Sequence, residues 1–155
     1  MKHERKRWLR RFLNLEVDKS GSMSAMKLQK LVYYSQGWHL VFEGEPMFPS
    51  VIEAWANGSV VPALYSAHRG LFTVKSEHFT EASVDRLGEL EIQTIDAVLE
   101  AYGELTAHQL SNLTHSERPW IEARAGVQEG RRSNVTISQA TMQEFYEQSL
   151  RETTV

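Results

Sequence analysis

The segment from Ala25 to Phe42 constrains the fold more than any other part of the chain. Its apolar residues recur at steps of three and four positions, which predicts an α-helix. Tyr33 and Tyr34 widen the apolar stripe beyond that of an ordinary surface helix. Ser24 stands where the N-cap of such a helix is expected. We therefore expect a central helix that other elements cover on several sides.

Further helices are predicted on both sides of this central one. Apolar spacing indicates amphipathic helices over residues 4–15 and 87–102, and Gly103 is placed to end the second. Each remaining predicted helix begins at a residue suited to a helix start, namely Pro62, Thr106, Pro119 and Ser138.

Two runs of residues have a β-prone composition. They cover residues 51–55 and 71–75, and a turn is indicated over 57–59. We expect the two runs to pair as a small β element. The sequence thus predicts a mainly α fold, with one compact helical domain and a two- or three-stranded β element in the middle of the chain.

The length of 155 residues suits one well-filled core better than two domains and a linker. We expect a basic N-terminal helix and turn over residues 1–23 and a helical domain over 24–150. The N-terminal helix is expected to pack with that domain. Residues 151–155 are expected to form a short polar tail.

The net charge of −3 conceals a strong asymmetry. Residues 1–11 carry six basic side chains against Glu4 alone, so this arm has a charge of +5 and the rest of the chain −8. A basic arm of this kind can contact phosphates, an acidic partner or the acidic body of its own chain. Charge pattern alone leaves these three alternatives open.

Several kinds of chemistry lack their sequence signatures. The chain has no cysteine, and it contains neither a phosphate-binding glycine loop nor a G-x-S-x-G motif. No two of its six histidines are four residues apart, as a helical zinc site requires. We therefore expect no enzyme activity, no cofactor and no metal. No segment reaches the roughly 20 apolar residues of a membrane span, so we expect no membrane partner and a cytoplasmic location.

Two histidines and four aromatic residues are further candidates for a structural or functional role. His39 and Glu43 stand four residues apart and could pair on the central helix, although a structural role is favoured over a catalytic one. His115 is expected to hold the adjacent backbone of a turn. The aromatic side chains either line a ligand pocket or fill the core, and they are Trp38, Trp55, Tyr65 and Trp120.

Three blocks of the sequence resemble the Panacea domain family. They read MKLQKLVYYSQGWHL at residues 26–40, IEAW followed by GSVVPALY between residues 52 and 65, and LSNLTHSERPW at residues 110–120. The family includes SocA-like proteolytic adapters, GepA-type phage-associated proteins and PanA antitoxins. Ser59 departs from the pattern, because the family usually has proline there, and its absence leaves the turn less rigid.

The resemblance implies an antitoxin that neutralises a cognate toxin by direct contact, and in one variant of this role delivers it to the ClpXP protease. It implies that the motif residues are mainly structural. These are Leu28, Lys30, Leu31, Tyr34, Trp38, Trp55, Gly58, Pro62, Tyr65, Thr114, His115, Pro119 and Trp120.

Partner specificity would then lie on exposed basic clusters, for which we select Arg5, Arg7, Arg10, Arg11, Arg131 and Arg132. The alternative function is a nucleic-acid-binding transcriptional regulator that acts through the basic arm.

Overall fold

The computed structural model describes residues 23–75 and 88–153. Six helices lie in these two ranges, and the prediction of a mainly α fold is confirmed. They are α1 (Ala25–Glu43), α2 (Pro62–His68), α3 (Glu89–Tyr102), α4 (Ala107–His115), α5 (Arg118–Ala123) and α6 (Gln139–Thr153). The strands are β1 (Met23–Ser24), β2 (Glu53–Trp55), β3 (Gly58–Val60) and β4 (Thr73–Val74). The helix predicted at residues 4–15 lies outside the described ranges.

Helix α1 is the central element that its wide apolar stripe predicts. Thirteen of its 19 residues are buried, because α3, α4, α6 and strand β3 pack around it. The hydroxyl of Ser24 accepts a 3.0 Å hydrogen bond from the backbone N–H of Lys27, which confirms the predicted N-cap. Gly44 ends the helix in a left-handed conformation, with φ of 73°.

The shorter helices also begin near their predicted starts. Thr106 and Gln109 form a reciprocal capping box at the start of α4, and Pro62 opens α2. Ser138 accepts hydrogen bonds at the start of α6 through its hydroxyl and its carbonyl. Within residues 23–75 and 88–153, every helix is too short or too polar to cross a membrane.

The strand pairing differs from the prediction. Strand β2 pairs with β3 as an antiparallel hairpin, and β4 pairs with β1 rather than with residues 51–55. The predicted turn at 57–59 is also shifted, since Ala56 and Asn57 form it and Gly58 already belongs to β3. A two-residue turn closes a much shorter loop than a connection to residue 73, so the local hairpin costs less chain entropy.

Residues 135–137, which follow α5, pair with the outer edge of this hairpin. The backbone N–H of Ala54 donates to the carbonyl of Val135 at 2.9 Å, and that of Ile137 donates to Ile52 at 2.8 Å. The outer edge of β2 is therefore covered by residues 135–137, while β3 packs against α1 and α4. The hairpin is held on both sides by distant parts of the chain.

Candidate functional site

The three family-like sequence blocks meet around the β2–β3 hairpin. The first block lies in α1, the second forms the hairpin and α2, and the third spans α4 and α5. Each of the other two blocks sends a side chain to the backbone of the hairpin. Residues that are far apart in sequence therefore build one local structure.

The contact from the first block is a buried lysine. Lys30 has no exposed surface, and its Nζ donates a 3.1 Å hydrogen bond to the carbonyl of Ser59. Burial lowers the pKa of Lys30 to about 8. A Cβ at Gly58 would lie 2.6 Å from Cε of Lys30, and Gly58 has φ of 127°. Glycine at position 58 thus leaves room for the lysine and permits the turn geometry.

The contact from the third block is made by Trp120. Its indole N–H donates a 3.0 Å hydrogen bond to the carbonyl of Trp55. The ring of His115 stacks on Trp120 with 4.2 Å between ring centroids. The backbone that hydrogen-bonds with His115 is that of Asn57 in the hairpin turn, so the prediction that it holds adjacent backbone is wrong. Its Nε2 is buried and has no hydrogen-bond partner among the described residues.

A buried carboxylate joins the first and third blocks below the hairpin. Oε1 of Glu117 accepts hydrogen bonds from the hydroxyls of Tyr34 at 2.8 Å and Tyr146 at 2.9 Å. The hydroxyl of Tyr146 also lies 3.0 Å from that of Tyr33, and the hydroxyl of Thr114 lies 3.2 Å from that of Tyr34. Burial raises the pKa of Glu117 to about 7, against the opposing effect of the two phenols. This network holds α6 and the start of α5 against α1.

The remaining motif residues occupy the core or its border. Trp38 is partly buried, and its indole N–H donates to the hydroxyl of Tyr102 at 2.9 Å. Four others are buried or partly buried among apolar neighbours or at helix starts, namely Leu28, Leu31, Pro62 and Pro119.

An open groove with a volume of about 890 Å³ lies beside the hairpin. Trp55 and Tyr65 form part of its wall and pack edge to face, with 5.0 Å between ring centroids. Arg132 and Asn134 line it from the loop that precedes the paired residues 135–137. Apolar, amide and charged groups therefore meet in one concave surface, which is typical of a binding site.

Buried Gln29 is a lining residue that the sequence reasoning missed. Its Oε1 accepts from the backbone N–H of Val61 at 2.8 Å, and its Nε2 donates to the carbonyl of the same residue at 3.3 Å. The Nε2 also lies 2.9 Å from Nε2 of His68. The glutamine fixes the start of α2, which carries Tyr65, relative to α1. Its position as a polar residue within an apolar helical stripe is the sequence signal that could have identified Gln29.

A second buried cation lies on the other side of the hairpin. Arg124 is 6% exposed, and its guanidinium donates to the carbonyls of Ala54 at 2.9 Å and Arg131 at 2.5 Å. The guanidinium also lies 5.2 Å from the ring centroid of Trp120. Among the described residues, no carboxylate forms an ion pair with Arg124 or Lys30. Sequence reasoning missed Arg124, because nothing in its neighbours distinguishes it from a surface arginine.

Two of the six arginines selected as partner contacts, Arg131 and Arg132, lie within the described ranges. Arg132 lines the groove, and the exposed Arg131 contributes its carbonyl to Arg124. The four arginines of the N-terminal arm lie outside the described ranges, and they are Arg5, Arg7, Arg10 and Arg11.

The two histidines considered for chemistry make unrelated contacts. Nδ1 of His39 lies 2.8 Å from the hydroxyl of Thr94 on α3, whereas His115 packs on Trp120. Burial lowers the pKa of both rings, and Glu43 opposes this effect for His39. Glu43 is thus close enough to His39 to act on its pKa, in the raising direction. The side chain at hydrogen-bond distance from His39 is that of Thr94.

Comparisons with known proteins give a consistent result. Residues 28–121 match the family described as Antitoxin SocA-like, Panacea domain. The chain is 31% identical over 126 aligned positions to Antitoxin SocA of Caulobacter vibrioides (strain NA1000 / CB15N). That alignment covers 69% of this chain and 65% of the relative, which is slightly under two thirds of the relative's length. No solved structure gives a significant match.

Proposed function

The chain belongs to the SocA-like Panacea domain family, and from this premise we propose that it is an antitoxin that neutralises a cognate toxin by direct binding. Inhibition by contact needs a complementary surface that covers or distorts the toxin. It requires no catalytic group of the antitoxin itself. The family membership is the observation that carries this proposal.

The arrangement of the motif residues supports a binding role. Lys30 and Trp120 hold the hairpin against α1 and α5, and Gln29 beside Lys30 holds the start of α2 against α1. The groove that results combines aromatic walls with an exposed arginine at position 132. A rigid scaffold that presents variable loop residues is a common design for protein recognition.

Co-expression tests the proposal directly. The protein encoded beside this chain is expressed alone and together with it, while growth and copurification are scored. Direct neutralisation predicts growth arrest by the neighbour alone and recovery when both are present in a stable complex. A harmless neighbour, or recovery that depends only on reduced transcription, would contradict the proposal.

A second comparison separates neutralisation from delivery to a protease. In the adapter version of the role, recovery of growth is lost in a host that lacks ClpXP, because the bound toxin is no longer degraded. In the inhibitory version, recovery is the same in both hosts. The His39→Gln variant serves as a control for chemistry, since His39 contacts Thr94 away from the groove and contact-based neutralisation predicts that the variant retains full protective activity.

A further inference from the structure

The two buried cations stand next to residues that line the groove. Lys30 donates to Ser59, which lies between the lining residues Asn57 and Val60. Arg124 donates to Arg131, which precedes the lining residue Arg132. Each buried cation therefore bonds to the carbonyl of a residue that is adjacent in sequence to a residue lining the groove.

Among the described residues, the hydrogen-bond partners of these charges are backbone carbonyls, and Arg124 also lies against the ring of Trp120. Within residues 23–75 and 88–153, neither cation forms an ion pair with a carboxylate. Both lower the pKa of His115, in addition to the larger effect of its burial, so their fields overlap at the hairpin. A charge held away from water is weakly screened and acts over a longer range than an exposed one.

Resting on the proposed function, we infer that this groove binds an acidic segment of the partner protein. Arg132 is exposed and lines the groove, and the buried Lys30 and Arg124 add positive potential through bonds to backbone next to its lining residues. The half-exposed Met26 and the ring of Tyr65 supply apolar contacts for the same segment. The volume of about 890 Å³ fits a few side chains of a segment rather than a whole domain.

The same surface is poorly suited to nucleic acid. Arg132 is the one cationic side chain among the described residues that line the groove, and Glu53 places a carboxylate in its wall. Backbone recognition of a duplex requires several cations that reach phosphates. Trp55 and Tyr65 pack against each other, and the indole N–H of Trp55 donates to Glu53 at 2.8 Å. Glu53 repels both kinds of ligand, but a short acidic segment needs fewer cationic contacts than a duplex. Its apolar residues can contact Met26 and Tyr65, so it matches a groove with one exposed arginine better.

The test uses defined probes and the full chain. A labelled peptide in which glutamate alternates with leucine is compared with a matched lysine–leucine peptide and with a DNA duplex, by fluorescence anisotropy. Binding is located by NMR through the indole N–H resonance of Trp55. The indole of Trp38 is the internal reference, because its N–H is committed to Tyr102 in the core.

We expect the glutamate peptide alone to bind and to shift the Trp55 resonance while that of Trp38 stays in place. Arg132→Glu should weaken this binding at least about tenfold, because it replaces attraction with repulsion. Ala56→Glu, in the turn that lines the groove, should act in the same direction. Arg151→Glu near the end of α6 is the charge-matched control and should leave the affinity unchanged.

The outcomes separate this inference from the proposed function. Failure of the glutamate peptide to bind, a missing Trp55 shift, or preferential binding of the duplex in the groove would overturn the inference. Full protection by Arg132→Glu in the co-expression assay would also overturn it, while leaving the antitoxin role intact. Peptide binding combined with a harmless neighbour would reject the antitoxin role and retain the acidic-segment site.

Discussion

The hydroxyl of Tyr34 donates a 2.8 Å hydrogen bond to the carboxylate of Glu117, which lies 83 positions later in the chain. Tyr146 on α6 donates to the same oxygen. Within residues 23–75 and 88–153, no cation is paired with this carboxylate. Its negative charge is therefore held by phenols in a buried site, and this arrangement makes the stability of the fold depend on pH.

The first prediction concerns this carboxylate. The pKa of Glu117 is raised from 4.5 to about 7, so the folded protein binds this proton more tightly than the unfolded chain does. The stabilising effect is fully present below pH 4.5 and is lost as the pH rises through about 7. Relative to Glu117→Gln, the natural protein should lose about 3 kcal/mol of unfolding free energy across this window.

Urea unfolding of both proteins at a series of pH values checks this difference. The comparison is necessary because buried histidines act in the opposite direction. Burial lowers the pKa of His39, His68 and His115, so their contribution is lost as the pH falls. Those residues are common to both proteins and cancel in the difference. Parallel pH profiles for the two proteins would contradict the assignment.

The second prediction concerns Gly58. Gly58→Ala should destabilise the fold by at least about 2 kcal/mol, because the new Cβ meets Lys30 and the backbone has a positive φ. Gly44→Ala is the matched control, since Gly44 has φ of 73° but no atom within 4 Å of the added Cβ. It should show only the conformational penalty of about 1 kcal/mol. Equal losses of unfolding free energy in the two variants, measured by urea unfolding, would mean that the contact with Lys30 adds nothing to the cost of Gly58→Ala.

The third prediction concerns the buried lysine. Its pKa is lowered from 10.5 to about 8, so the unfolded chain binds the proton more tightly and stability rises between these values. Lys30→Met removes a buried charge and should raise the unfolding free energy at pH 7 by about 1–3 kcal/mol. The gain should shrink towards pH 10. The same substitution should weaken binding of the glutamate peptide.

Lys27→Met is the control on the same helix. The ammonium of Lys27 is partly exposed and donates a 2.6 Å hydrogen bond to the carbonyl of Gly103, so its loss should bring no gain in stability. A stability gain of the same size in both variants would show that burial of Lys30 is not its cause.

The fourth prediction concerns Ser59, which stands where the family usually has proline. Trp55 faces Gly58 across the two-residue turn, and Ser59 faces Ala54 at the next, non-hydrogen-bonded position. The backbone N–H of Ser59 therefore does not belong to the ladder with β2, and proline can replace it there. Its hydroxyl is buried close to the hydroxyl of Tyr33, and this contact acts to lower the pKa of that phenol, against the larger raising effect of burial.

Ser59→Pro should thus raise the unfolding free energy by about 0.5–1 kcal/mol, because proline restricts the unfolded chain. Thermal unfolding beside Ser59→Ala separates the effect of the ring from removal of the hydroxyl. A loss of stability with proline, but not with alanine, would show that the backbone at this position cannot accept the ring.

Local signals in the sequence predicted the helices well. Ser24, Thr106 and Pro62 mark helix starts through bonds to residues a few positions away, and such bonds can be inferred from spacing. The partner of Thr73–Val74 could not be inferred in this way, because it is Met23–Ser24, far away in sequence. Strand pairing depends on what the rest of the chain brings together.

Some residues of the candidate site were predictable from the sequence, but their contacts were not. The resemblance selected Lys30, Trp55 and Trp120 without indicating that the lysine and Trp120 both bond to the hairpin backbone. Glu117 and Arg124 are charged residues, which are mostly exposed in proteins, so composition favours a surface position for them. Only the packed structure shows that both are buried.

The hairpin has a consequence for the order of events during synthesis. An isolated two-stranded hairpin is marginally stable in water, and this one depends on Trp120, Arg124 and residues 135–137 for its outer contacts. These parts leave the ribosome long after the hairpin itself. A growing chain therefore lacks a finished groove until residues 120–137 have left the ribosome, and a partner that binds there requires those residues to be in place.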